Sequence, residues 1–162
     1  MAHDGSLASQ VEQWIVDALL ECRDFSDGTV EAFPGSSRPD GQQLIDEMIA
    51  HRSPYVAVLF EGDRPIPLQE GEYAYEPTYG IYVAVHNQRP AVARKGDAAT
   101  AGTNLLRDVM RATLHNQYPT CAGEGYATDH TEFRGVRVVF QRADAFVMRA
   151  ELVVRESPTS EG

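Results

Sequence analysis

Lysine is almost absent from this chain: Lys95 is the only one among 162 residues, and 14 basic side chains stand against 24 acidic ones. The formal net charge is −10 at neutral pH. Non-specific nucleic-acid binding depends on neutralising phosphates with Lys and Arg. The nearest thing to a basic cluster is Arg134, Arg137 and Arg142, too sparse for a grip on DNA. Cysteine is scarce as well, with Cys22 and Cys121 about 100 positions apart. That is no disulfide framework, and two buried or half-buried thiols are expected instead. No apolar run approaches the roughly 20 residues that span a bilayer. The N-terminal Met1-Ala2-His3-Asp4-Gly5 lacks the basic-then-apolar order of a secretory signal. The expectation is a soluble, intracellular protein.

Catalytic spacings are also missing. The histidines stand at 3, 51, 86, 115 and 130, and His115, Cys121 and His130 come closest to a ligand set without matching a zinc pattern. Structural roles are expected for them, His86 at a strand end and His115 at a helix C-terminus, where the dipole favours a cation. In Lys95-Gly96-Asp97-Ala98-Ala99-Thr100-Ala101-Gly102 the lysine precedes the glycine, the reverse of a phosphate loop, and the aspartate would repel phosphate. Asp129-His130 could orient a nucleophile, but no serine or cysteine stands in an elbow context beside it. Cys121 is a lone thiol. Glu61, Asp63, Glu70, Glu72 and Glu76 read as a solvated acidic face. No catalytic residue, metal or cofactor is predicted, and the chain is not expected to be an enzyme. A small hydrolase or ligand-binding domain using Cys121 or Asp129-His130 is the alternative.

What the chain does have is an ordinary globular composition, 43% hydrophobic and 23% charged, in one domain's length. Leu7, Val11, Trp14, Ile15, Ala18, Leu19 and Cys22 recur at helical steps. Ser6 or Ser9 could cap that helix, and Ser9 with Glu12 has the capping-box spacing. The stretch 24–28 ends it, and a strand over 29–33 runs into a Pro34-Gly35 turn. A second helix, capped by Asp40, presents Leu44, Ile45, Met48 and Ile49 and stops at Pro54. Residues 55–60 read as an interior strand covered on both faces.

Residues 72–87 are strand-like, with Pro77 marking a break and Tyr79, Ile81, Val83 and Val85 on one face. Asp97 caps the strongest helix, whose stripe is Leu105, Leu106, Val109, Met110 and Leu114. Residues 116–131 have little periodicity and are predicted to be a long loop. A closing hairpin over 135–141 and 145–155 follows, its last strand half-buried, and 157–162 form a loose tail. This order predicts a single α+β domain. Its antiparallel or mixed sheet carries helices mainly on one face.

Three blocks together resemble a known family. They are the Phe33-Pro34-Gly35 turn, the strand Pro54 to Gly62, and the tyrosine-rich strand followed by Arg94-Lys95-Gly96-Asp97 and the helix to Leu114-His115. Over about 7–155 the chain is similar to the Mu-like phage Gp37 family and to phage tail terminator, or tail completion, proteins. The resemblance implies a virion structural protein assembled in the host cytoplasm. Its copies would form a ring of about six subunits by heterologous contacts that close by rotation. The ring would cap the head-proximal end of the tail tube, stop its polymerisation and join it to the head. Implied partners are further copies, the tail tube protein, the head–tail connector protein and the sheath protein of a contractile tail. DNA would pass through an acidic lumen without specific binding, and no membrane is involved. The contact regions are expected at 63–77, 116–131 and the exposed face of the last hairpin. Tyr73, Tyr75, Tyr79, Tyr126, Arg137, Arg149 and Glu151 are the candidate contact residues. Another tail or baseplate-associated assembly protein is the nearest alternative.

Overall fold

The computed structural model describes residues 5–35, 39–51, 53–86, 103–142 and 145–159. The chain begins with α1 (Leu7–Leu20) and a single turn, α2 (Arg23–Ser26). The Ser6 hydroxyl caps α1 by accepting from the Ser9 N–H at 3.2 Å. The Ser9–Glu12 capping box does not form, because Ser9 lies inside the helix rather than at its cap, and the Glu12 carboxylate accepts the Phe60 N–H at 2.7 Å instead. That bond ties α1 to the sheet. After β1 (Thr29–Ala32) comes α3 (Gly41–Ala50), capped by the Asp40 carboxylate on the Gln43 N–H. Gly41 opens α3 because the Phe140 ring fills the space of its missing Cβ, 2.3 Å away at the closest atom. Leu44, Ile45 and Met48 are buried as expected, but Ile49 is 62% exposed. It sits at the margin of the stripe, where the short helix no longer meets the sheet.

The rest is strand-rich: β2 (Tyr55–Gly62), β3 (Pro65–Pro67), β4 (Tyr73–Tyr75) and β5 (Thr78–His86). Then follow α4 (Thr103–Leu114), β6 (Ala122–Gly123), β7 (Tyr126–Arg142) and β8 (Ala145–Pro158). The eight strands form one mixed sheet. β1 pairs parallel with β2, and every other pairing is antiparallel. β8 is its axis, with β5 and β4 along one side and β7 along the other. The break at Pro77 that separates β4 from β5 is the one the proline predicts.

The two sheet faces carry different covers. On one, Val56, Val58, Tyr79, Ile81, Val83, Val85, Met148, Ala150 and Leu152 pack under α1, α2 and α4. The predicted α4 stripe is narrower than its sequence, with Leu106, Met110 and Leu114 buried and Leu105 47% exposed. On the other face, α3 and Phe33 cover Tyr55, Ala57, Tyr82, Ala84, Ala145 and Val147. The fold is thus α+β, and among the described residues three helices lie on one face and one on the other.

Three expectations are corrected. Residues 116–131 are not a long loop, since β6 and the start of β7 occupy their second half. Their polar sequence hides a backbone ladder. Asn116 donates to the Thr131 carbonyl at 3.0 Å, Thr131 to that of Gln117 at 2.9 Å, and Thr128 to that of Cys121 at 3.0 Å. The last strand is not half-buried, because Ala145 through Ala150 are all buried, with α3 and α4 on opposite sides. Ser157 and Pro158 belong to β8, and Thr159 donates to the Gly125 carbonyl at 2.8 Å. Residues 36–38, into which the Pro34-Gly35 turn runs, and the Asp97 cap within 87–102 lie outside the described residues.

Candidate assembly surface

α3 covers only one end of its sheet face, and polar side chains take over where the helix stops. β2 bulges between Phe60 and Gly62, which turns Glu61 across the sheet. Its carboxylate lies directly over Gly80 of β5, where an added Cβ would stand 2.6 Å from Oε1. Glycine there gives the carboxylate its passage to β8. Beyond it, Arg149 donates from Nε to Glu61 Oε1 at 3.1 Å and again from its second terminal nitrogen. The Tyr82 hydroxyl donates to Glu61 Oε2 at 2.5 Å. Both charged side chains are over nine-tenths buried.

Burial works against the Arg149 charge, but the Glu61 carboxylate outweighs it and holds the guanidinium above its ordinary pKa. A buried pair of this kind fixes geometry more surely than it adds stability.

Three open hollows meet at Arg149. One, of about 370 Å³, is lined by Asp40, Leu44, Tyr82, Arg137, Val138 and Arg149. A second runs along Arg134, Gly135, Val136, Arg137 and Glu151, and a third along Asp63, Arg64, Glu76 and Thr78. The charges alternate in sign. Glu76 pairs with Arg64 and, at 3.8 Å, with Arg134, which also reaches Glu132 at 3.3 Å. The acidic run therefore divides. Glu61 and Glu76 are built into ion pairs, whereas Asp63, Glu70 and Glu72 form the exposed acidic face expected of all five.

The outer edge of β7 borders this surface. Up to Phe133 that edge is occupied, first by β6 and the residues before it, then by the His115 ring accepting the Phe133 N–H at 3.1 Å. From Arg134 to Arg142 no backbone partner occupies it among the described residues. Val138 is 55% and Val139 37% exposed on this stretch. Arg137 beside them makes no ion pair among the described residues. A strand edge with exposed apolar residues and an arginine beside them combines backbone hydrogen-bonding capacity with a side-chain type enriched at interfaces.

The predicted contact residues do not form one patch. Arg137, Arg149 and Glu151 meet in the hollows just described. Tyr73, Tyr75 and Tyr126 gather at the other end of the sheet, Tyr73 43% exposed and the rings of Tyr75 and Tyr126 edge to face at 5.5 Å. Tyr79 is fully buried in the α1/α4 core and has no surface to offer another chain. The period-two rule placed it correctly on the core face, while its residue type alone suggested a contact. Glu61, Tyr82, Gly80, Val138 and Val139 were not singled out as site residues. The adjacency of Val138 and Val139 is no guide to their faces, because the β7–β8 register shifts between Val138 and Phe140.

The nucleophile candidates are far from activated. Cys121 is buried, and burial pushes its thiol pKa up, away from the thiolate. Asp129 and His130 are close, 3.8 Å between Oδ1 and Nδ1, and about half exposed. Both cysteines are free thiols, with Cys22 Sγ 3.2 Å from Thr113 Oγ1. One group of metal-ligating side chains occurs among the described residues: Glu31, Glu47 and His51. Compared with known proteins, the chain matches no protein-family model and no curated protein.

Proposed function

We propose that this chain is a structural assembly protein of a phage-like tail, a terminator whose copies close into a ring. The observation that carries the reading is the edge of β7 from Arg134 to Arg142, unpaired among the described residues, with Val138 and Val139 exposed beside Arg137. An edge of this kind accepts a strand or loop from a second chain by main-chain hydrogen bonds. The opposite border of the sheet is the short parallel strand β1, so the two borders are unlike. Unlike surfaces meet head to tail, and such contacts generate rings when the rotation closes. The ring caps the tail tube, ends its growth and presents a face to the head connector. The cluster of Tyr73, Tyr75 and Tyr126 supplies the second surface, for the tube or the connector. The formal charge of −10 suits a lumen along which DNA slides without sticking.

Light scattering and negative-stain imaging of the purified protein, alone and with tail tubes, test this. A ring of about six subunits is expected, free or on tube ends. Val138→Lys is expected to abolish it while leaving monomer stability within about 0.5 kcal/mol. A chain that stays monomeric at every concentration and binds no tube end overturns the reading, and a ring that binds a baseplate component instead moves it to another position in the tail.

A further inference from the structure

We infer that the junction of α3 with β1 is a binding site for one divalent transition-metal ion, held by Glu31, Glu47 and His51. Glu47 and His51 are four residues apart, the spacing that puts two side chains on one helix face. Glu31 comes to them from β1. One carboxylate oxygen of each glutamate and a ring nitrogen of His51 lie within 4.8 Å of one another, close enough for small side-chain shifts to bring all three onto one ion.

Two further features separate this group from an incidental cluster. The first is orientation. The buried Tyr55 hydroxyl donates to Glu31 Oε1 at 2.6 Å, leaving the other oxygen of that carboxylate for a ligand role. His51 Nδ1 lies 2.7 Å from the Glu47 main-chain carbonyl, and the His51 ring is tilted over that of Tyr55 at 5.5 Å. Partners that aim a ligating carboxylate and hold an imidazole are what metal centres place in their outer shell. The second is charge. Two carboxylates face each other here, and among the described residues neither has an arginine or lysine partner. A divalent cation compensates both at once.

Two oxygens and an imidazole nitrogen suit zinc or manganese rather than calcium or magnesium, which take oxygen ligands almost exclusively. Glu47 and His51 are more than a third exposed, so a coordination position remains open to water. The ion would tie the sheet's short border strand, which otherwise packs against α1 and α2, to α3.

Isothermal titration of the full chain with Zn²⁺, and separately with Mg²⁺, tests the assignment together with thermal unfolding. One Zn²⁺ per chain is expected. At a hundredfold excess of free Zn²⁺ over Kd the melting temperature should rise by about 5–10 °C. Glu47→Gln, at a half-buried position, and His51→Gln, at an exposed one, should each weaken binding at least tenfold, and Tyr55→Phe about tenfold through the freed Glu31 carboxylate. Zn²⁺ binding that is absent, not one to one, or unchanged in the Glu47 and His51 variants overturns the site. Mg²⁺ binding as tight as Zn²⁺ overturns the role of the imidazole. Ring formation is not needed for any of these readouts.

Discussion

Tyr79 sits at the centre of the larger core with its ring against Phe60, 5.7 Å between centroids, and with no hydrogen-bond partner for its hydroxyl among the described residues. An unsatisfied buried hydroxyl costs more than the apolar surface around it gains from the oxygen. Tyr79→Phe is therefore expected to stabilise the protein by about 1 kcal/mol, read from the midpoint of urea unfolding. Glu156 near the end of β8 carries a second local cost. Burial, assisted by Asp63, raises its carboxyl pKa above the ordinary 4.5. The native state then holds that proton to higher pH than the unfolded chain does, so this residue's contribution to stability is lost as pH rises from 4.5 through the native value. Glu156→Gln should remove that loss, raising stability at pH 7 and leaving it unchanged at pH 3, as measured by denaturant titration at both. Neither cost can be read from the sequence. A tyrosine and a glutamate on a strand look alike whether their polar ends meet a partner, water or nothing.

At the scale of elements, legibility followed periodicity. The face of β5 with Tyr79, Ile81, Val83 and Val85 follows from the alternation of the sequence, and it lies in the core under α1 and α4, where Phe146, Met148, Ala150, Leu152 and Val154 of β8 alternate in the same way and join it. The first half of β7 was invisible because its hydrogen bonds come from backbone groups of 116–121, whatever their side chains. The candidate surface was half legible. Arg137, Arg149 and Glu151 were picked out as contacts, but Glu61 was read as a solvated acid, because the bulge that carries it across β5 depends on pairing between distant strands. That crossing makes a prediction about β2, β5 and β8 as a unit. Arg149→Met strands the Glu61 carboxylate in a buried place and should cost about 3–5 kcal/mol, whereas Glu61→Leu with Arg149→Met should recover most of it. A double-mutant cycle in urea measures both. Gly80→Ala, which drives a methyl group into the same carboxylate, should cost about 1–3 kcal/mol.

For the whole molecule, charge decides how copies meet. Each carries a formal −10, so bringing several together works against mutual repulsion that mobile ions screen. The apolar and main-chain contacts proposed for the β7 edge are insensitive to salt by comparison. The assembled fraction should therefore rise between about 20 and 300 mM salt, over which the Debye length falls severalfold, as read by analytical sedimentation. A fall over that range would mean that ion pairs at Arg134 or Arg137 dominate the contact. The acidic balance was plain in the composition. Where the basic side chains concentrate was not, since Arg64, Arg134, Arg137 and Arg149 come together only through the sheet.

The position of β8 at the sheet's axis also dictates an order of events on the ribosome. β5 ends at His86 and β8 begins at Ala145, so the first half of the sheet leaves the exit tunnel well before the strand that both β5 and β7 must pair with. Until then the nascent chain has two strand sets with no common neighbour and apolar faces that neither can cover. Pairings this distant in sequence form slowly, and their exposed edges invite association. Chaperone engagement of the growing chain is expected to persist until β8 has emerged, and a transcript truncated before Ala145 should yield aggregates rather than a smaller folded domain.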